Sequence, residues 1–270
     1  MRLEFWGTRG SLPMNTPQHR LFGGNTSCVA LRSGEDMAVF DAGSGLVHLG
    51  TEILATARRD IDIFFSHFHS DHICGLPFFK PLFDPSFSVR LHSFGSNEAS
   101  LKQALNAYLS NPIFPIGLAD FKAQIDFVEH EADDVVACGD LHMRAQAIPH
   151  PGGAHALKAS TSANAHFVYA TDTEHEPHAP NQDLIGFMHG VDLAVYDCTY
   201  DDDEFATRRG WGHSTWQEGV RLAQAAQVKQ FGIFHHEPER TDDMLLEIEA
   251  QAQKIMPNCF VTRDFMHIEV

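Results

Sequence analysis

Six times along this chain a short, largely apolar run breaks off at a histidine or an aspartate. Ala38–Phe40 runs into Asp41, Ile61–Phe65 into a cluster that begins at His67, and Ala145–Pro149 into His150. Further on, Phe167–Thr171 precedes Asp172, Leu193–Tyr196 precedes Asp197, and Phe231–Phe234 precedes His235. Runs of this length and composition read as buried strands. A polar group at the carboxyl end of each is the arrangement in which α/β folds gather functional side chains.

Strands are expected near 2–6, 27–32, 37–41, 61–65, 88–93, 125–129, 141–148, 165–171, 192–196, 231–235 and 259–263. Helices are expected near 45–57, 97–109, 214–228 and 241–255, the last capped by Thr241-Asp242-Asp243. The acidic run Asp201-Asp202-Asp203-Glu204 reads as a solvated turn. No repeat, low-complexity linker or composition break interrupts the chain, so residues 1–270 are expected to form one α/β domain.

The second strand ending carries the densest chemistry: Ser66-His67-Phe68-His69-Ser70-Asp71-His72. Imidazole nitrogens suit zinc and its neighbours in the transition series, and a carboxylate adds a hard oxygen donor. Four such ligands on one short loop cannot all reach one ion without strain. They divide readily between two ions, which in two-metal hydrolases stand about 3.5–4 Å apart. The cluster therefore points to metal-assisted hydrolysis. With 18 histidines present, most have ordinary roles; His19, His48, His92, His130, His142, His166, His189 and His267 read as surface or core residues.

Charge and cysteine usage narrow the setting. A net charge of -17, with 19 scattered Lys and Arg, argues against a large nucleic-acid partner and against a membrane surface. A small anionic substrate at a cationic metal centre remains compatible with that charge. Five cysteines without a C-x-x-C pair read as reduced thiols, and the first residues lack the apolar stretch of a signal peptide. The cytoplasm is the expected compartment.

Taken in order, Asp41, the His67–His72 cluster, His150, Asp172 and His235 resemble the motifs of the metallo-β-lactamase-fold hydrolase superfamily. Tyr196-Asp197-Cys198-Thr199-Tyr200, followed by Gly212-His213-Ser214-Thr215, resembles its phosphodiesterase branch, which includes tRNase Z and the cyclic-phosphate phosphodiesterase of phosphonate breakdown. Gly7-Thr8-Arg9-Gly10-Ser11 and Gly23-Gly24-Asn25-Thr26-Ser27 are similar to that branch too, and these Gly-rich loops could approach a phosphate through Arg9, Asn25 and Ser27.

The resemblance implies an αββα four-layer sandwich. It implies two divalent ions, zinc or manganese: His67, His69 and His150 on one, Asp71, His72 and His235 on the other, and Asp172 bridging. His235 is preferred to His236 because the relatives space this histidine as His-x-x-Pro. Asp41 is implied outside the ligand set, orienting a histidine through its other ring nitrogen. The implied reaction is hydrolysis of a phosphodiester by a hydroxide held between the ions. His213, held by Asp197, would protonate the leaving group, and Asp71 would help to orient the water.

A small nucleotide-like or cyclic phosphodiester is the expected substrate, since no basic insertion resembling the tRNA-gripping arm of tRNase Z is present. Two other readings stay open: a thioesterase or lactonase on the same centre, and a metal-containing nucleotide sensor without turnover. The resemblance also allows a homodimer.

Overall fold

Alternation along the strands sorts the core into three layers. In the computed structural model, which describes residues 1–95 and 100–270, Leu3, Phe5, Val29, Leu31, Ala38, Phe40 and Phe64 face one way. Their neighbours Ala30, Met37, Val39, Ile61, Ile63, Val89 and Leu91 face the other. Successive side chains of a strand point to opposite faces, so a strand buried on both sides is apolar throughout.

The first sheet contains β1 (Arg2–Gly7), β2 (Cys28–Ser33), β3 (Asp36–Phe40), β4 (Asp60–Phe64), β5 (Ser88–Phe94) and β6 (Gln124–His130). The second contains β7 (Val136–Cys138), β8 (Leu141–Ile148), β9 (Ala154–Ser160), β10 (His166–Ala170), β11 (Leu193–Asp197), β12 (Gln230–Phe234) and β13 (Cys259–Val261). The last strand, β14 (Met266–Glu269), returns to the first sheet beside β1, giving the orders 14-1-2-3-4-5-6 and 13-12-11-10-9-8-7.

Helices α1 (Leu46–Leu54), α2 (Ser70–Ile73) and α3 (Leu101–Tyr108) precede β6 in the chain, and residues of all three join the core on the outer face of the first sheet. Helices α4 (Gln182–Met188), α5 (Asp202–Arg208), α6 (Trp216–Ala225) and α7 (Asp242–Ile255) follow β10, and α4, α6 and α7 cover the outer face of the second sheet. The layers run helix, sheet, sheet, helix, as the resemblance implied. No helix among the described residues is long and apolar enough to cross a membrane.

Parallel pairing places the functional strand ends together. Strands β3 to β6 are mutually parallel in one sheet, and β10 to β13 in the other. The segments after β3, β4, β8, β10, β11 and β12 meet at one edge of the sandwich, the place where crossover connections leave room for a site.

Several expectations change. Residues 97–99 of the helix expected near 97–109 lie outside the described residues; α3 begins at Leu101, capped by Ser100. The acidic run 201–204 is not a solvated turn but the start of α5. Asp201 accepts from the Glu204 backbone, and Glu204 reaches back to the Asp201 N–H, a reciprocal cap with acids in the first turn. Strand β9, rich in alanine, has little intrinsic strand preference and is set by pairing on both edges with β8 and β10.

Arg9 does not approach the site. Its guanidinium is fully buried and donates to the carbonyls of Gly23, Glu237, Pro238 and Arg240, tying the amino-terminal loop to the segment after β12. The neighbouring Asp264 accepts from the backbone N–H groups of Gly24 and Asn25 and from Asn25 Nδ2. Burial dominates these bonds and the nearby Arg9 charge, raising the Asp264 carboxyl to about 6.

A carboxyl whose folded pKa is raised binds its proton more tightly when folded. Its stabilising effect is complete below about 4, the unfolded value, and is lost as pH rises through about 6. Asp264→Asn keeps an acceptor for the same donors but cannot ionise. Its stability relative to wild type is expected to rise between pH 4 and pH 7 by roughly 3 kcal/mol. Urea unfolding at several pH values reads this directly, and parallel curves for the two proteins would remove the assignment.

Candidate metal centre

Three strand ends adopt a backbone that ordinary side chains avoid. Asp41, Asp172 and His235 have φ of 58°, 52° and 60°. Left-handed residues of this kind are costly and persist where the surrounding structure holds them. Each turn folds a polar side chain back over the end of its own strand, between the two sheets. The close approach also needs glycine: a Cβ on Gly10 would stand 2.4 Å from the His235 ring, and one on Gly212 (φ +85°) 2.4 Å from His150 Nδ1.

Asp172 lies at the centre of the result. His72 Nε2 and His235 Nε2 each lie 3.1 Å from its Oδ1; His67 Nε2 lies 3.6 Å and His150 Nε2 3.8 Å from its Oδ2. Asp71 Oδ2 is 3.4 Å from both His72 Nε2 and His235 Nε2. His69 Nδ1 faces His150 Nε2 at 3.0 Å. Two donor groups follow, His67–His69–His150–Asp172 and Asp71–His72–His235–Asp172, each with its ligand atoms within 4.8 Å of one another. All seven residues expected as ligands are thus gathered at one place.

The ring nitrogens facing away from the centre fix the tautomers. His72 Nδ1–H donates to Asp41 Oδ2 at 2.7 Å, His150 Nδ1–H to the Gly212 carbonyl at 2.8 Å, and His235 Nδ1 faces Thr199 Oγ1 at 3.1 Å. His67 Nδ1 lies 3.1 Å from Ser66 Oγ, whose own proton goes to Asp41. The nitrogens pointing inward therefore carry bare lone pairs. Those of His67, His72 and His235 are buried without any protein hydrogen-bond partner. Buried polar atoms are nearly always satisfied, so three orphans converging on one carboxylate fit a cation.

Electrostatics agree with that fit. Burial lowers His67, His69 and His150, keeping the imidazoles neutral and able to coordinate. Burial opposes the charge of Asp172 as well, but His235, His72 and His67 outweigh it and hold the carboxyl well below its usual range. His72 is the exception. Burial disfavours its charge, yet Asp172, Asp71 and Asp41 together lift it well above 6.5, a demand for positive charge that a metal ion satisfies in place of a proton.

Asp41 is fully buried and accepts from Ser66 N, Ser66 Oγ, His72 Nδ1 and Tyr169 Oη at 2.7–2.8 Å. It caps no helix: Gly45 stands at the start of α1. Asp197 lies beneath His213, whose Nδ1 is 2.8 Å from Asp197 Oδ2; Thr199 and the Thr173 N–H hold the carboxylate in place. Burial works against a charged His213, but Asp197, then Asp172 and Asp71, raise it to about 9. Asp172, Asp197, His213 and His235 form a third convergent group on this side.

Tyr169, Ser66 and Gly212 were not anticipated. A tyrosine in an otherwise apolar buried strand must satisfy its hydroxyl, and that is the signal that would have pointed Tyr169 at Asp41. The Gly212 carbonyl has no counterpart signal in sequence.

Comparison with known proteins agrees with this architecture. The beta-lactamase superfamily domain matches residues 38–236. Ribonuclease Z of Thermoplasma acidophilum is 27% identical, the match covering 100% of this chain and 96% of that one. Among solved structures, a metallo-beta-lactamase fold protein of Bacillus subtilis superposes with a TM-score of 0.75 at 17% identity, covering 100% and 98% of the two chains. The short form of human tRNase Z gives 0.67 at 16%, covering 100% and 99%.

These relatives overturn the expectation that large nucleic acids are excluded and the substrate small. Proteins named Ribonuclease Z align along the whole chain, which conflicts with an expectation drawn from overall acidity. The physical reason is that net charge sums the whole surface, whereas a phosphate responds to the local field, which bound cations and a few arginines can invert. The chain belongs to the beta-lactamase superfamily and is a hydrolase of the metallo-β-lactamase fold.

Proposed function

We propose that this chain, as one domain, is a dinuclear metal-dependent phosphodiesterase that cleaves nucleic-acid phosphodiester bonds. The observation that carries the reading is Asp172, shared by two four-donor groups and flanked by the His213–Asp197 pair. His67, His69 and His150 would hold one divalent ion and Asp71, His72 and His235 the other, with Asp172 common to both. Histidine-rich donors favour zinc, and the carboxylates tolerate manganese. When bound, such ions acidify water and neutralise charge on phosphoryl oxygens.

The remaining steps belong to side chains of this protein. Asp71, fixed by the Ser11 N–H at 2.7 Å, offers a carboxylate to orient the attacking water. Asp197 favours the protonated form of His213, and with Nδ1 committed to Asp197 its Nε2–H is left to protonate the departing oxygen. The Ribonuclease Z relatives support a nucleic-acid substrate.

The direct test is purified protein, stripped and reloaded with zinc or manganese, assayed on bis-p-nitrophenyl phosphate and on a short oligoribonucleotide. Metal-dependent cleavage of both is expected, with two metal equivalents by elemental analysis. Failure to turn over either substrate with full metal content refutes the proposal. Asp41→Asn weakens the acceptor behind His72 and should lower metal affinity about 10- to 100-fold. Competition with a chelator measures this, and wild-type affinity in the variant would mean that Asp41 serves the fold alone.

A further inference from the structure

Beside His213 lies a group that the reaction does not use. The loop from Arg209 to His213 crosses the mouth of the site: the Gly212 carbonyl takes the His150 proton, and the N–H groups of Gly210 and Gly212 both donate to the Glu174 carboxylate. Trp211 is therefore held at the tip of a braced loop, yet its side chain is 58% exposed. Gly210 and Gly212 line a cavity of about 440 Å³ together with Glu174 and His150.

The Arg208 guanidinium stacks 5.0 Å from the centre of the Trp211 ring and 5.9 Å from that of Tyr200. Tyr200 in turn lies edge-on to His213, with ring centres 6.0 Å apart. The two arginines of the doublet differ. Arg209 pairs with Glu176 at 2.8 Å, whereas Arg208 has no carboxylate within ion-pair distance among the described residues. In a chain of net charge -17, an exposed cation with no acid in ion-pair distance among the described residues, held over two aromatic rings, is open to an external anion.

We propose that Trp211 and Arg208 form a strand-binding subsite, in which Trp211 stacks a base of a single-stranded nucleic acid and Arg208 grips a phosphate next to the scissile one. The proposal rests on the phosphodiesterase reading for its substrate class. It adds where the strand lies: on the His213 side, along the 209–213 loop. A ring with an open face is a sequence-tolerant platform for bases, and a stacked guanidinium is pre-organised for phosphate.

The test is oligoribonucleotide binding to the metal-loaded 270-residue chain carrying His213→Ala, which keeps all seven proposed metal ligands and slows cleavage of the strand. Trp211 is the most exposed of the three tryptophans, and its fluorescence should be quenched by the strand. Trp211→Phe should lose the quench and keep affinity within a few-fold. Trp211→Ala should weaken binding about 10- to 100-fold. Arg208→Gln should flatten the slope of log affinity against log salt by about 0.7, the loss of one phosphate contact on a single strand.

Unchanged affinity in Trp211→Ala, with an unchanged salt slope in Arg208→Gln, overturns the subsite, as does an absence of strand binding to the metal-loaded chain carrying His213→Ala alone. The phosphodiesterase reading is judged separately by hydrolysis of bis-p-nitrophenyl phosphate by the intact chain. Hydrolysis without strand binding sinks the subsite alone, and strand binding without hydrolysis sinks the reading alone.

Discussion

Asp172→Asn is expected to reduce bound metal from two equivalents to one or fewer and to cut turnover by roughly 10³-fold or more, because the lost carboxylate serves both ions while outer partners alone are worth 10- to 100-fold. The substitution separates two roles that Asp172 combines. Its φ of 52° is left-handed, and asparagine tolerates that conformation as well as aspartate does. Thr171 can keep its 2.6 Å hydrogen bond to an amide oxygen. A residue that merely closes the turn after β10 would therefore pass this substitution silently. A residue that balances His67, His72 and His235 with negative charge would not. Elemental analysis after gel filtration reads the outcome independently of activity, and two retained equivalents would show that the carboxylate charge is not what gathers the cations.

The same residue shows how far the sequence could be read. Strand endings such as Phe40-Asp41 and Phe234-His235 were legible because a buried strand is a continuous apolar run, so a polar residue after it stands out. The helices near 45–57, 214–228 and 241–255 were legible from local pattern, the last with its cap at Thr241, whereas their arrangement in two layers came from the family resemblance. Strand β9 was not legible: Ala154–Ser160 is stabilised by pairing with β8 and β10, a non-local fact that local propensity cannot carry. The misread acidic run at 201–204 failed for a different reason. Its charges were counted, but the Asp201–Glu204 reciprocity that starts α5 was not.

Within the site, the residues found from sequence were those whose side-chain chemistry is unusual for their place. Those missed act through common groups: the Gly212 carbonyl, the Ser66 hydroxyl, the Tyr169 phenol. Their contribution depends on geometry that spans up to 128 positions, as between Tyr169 and Asp41. Arg9 is the reverse case. A cation in a Gly-rich loop reads as a phosphate ligand, but the Arg9 guanidinium is buried and donates to backbone carbonyls from all three of its nitrogens. Charge also misled at the scale of the whole chain, since the sum of -17 conceals Arg208, which has no ion-pair partner among the described residues and lies over the rings of Trp211 and Tyr200.

His213→Ala is expected to leave metal content at the wild-type level and to lower turnover according to the leaving group. An alkoxide leaves poorly without a proton, so cleavage of an oligoribonucleotide should fall about 10²- to 10⁴-fold, the usual worth of a positioned acid. The nitrophenolate of bis-p-nitrophenyl phosphate departs as a stable anion, and its release should slow less than about tenfold, because little proton transfer is needed there. Asp197→Asn should show the same selectivity in weaker form: His213 loses the partner that raises it to about 9 and aims its ring. Asp197 also braces Thr199 and Thr173, so a purely structural role is a real competitor. It makes a different forecast, since a disordered loop would slow both substrates alike. The ratio of the two rate losses is therefore the quantity to measure, and a ratio near one in His213→Ala would take the proton donor away from this residue.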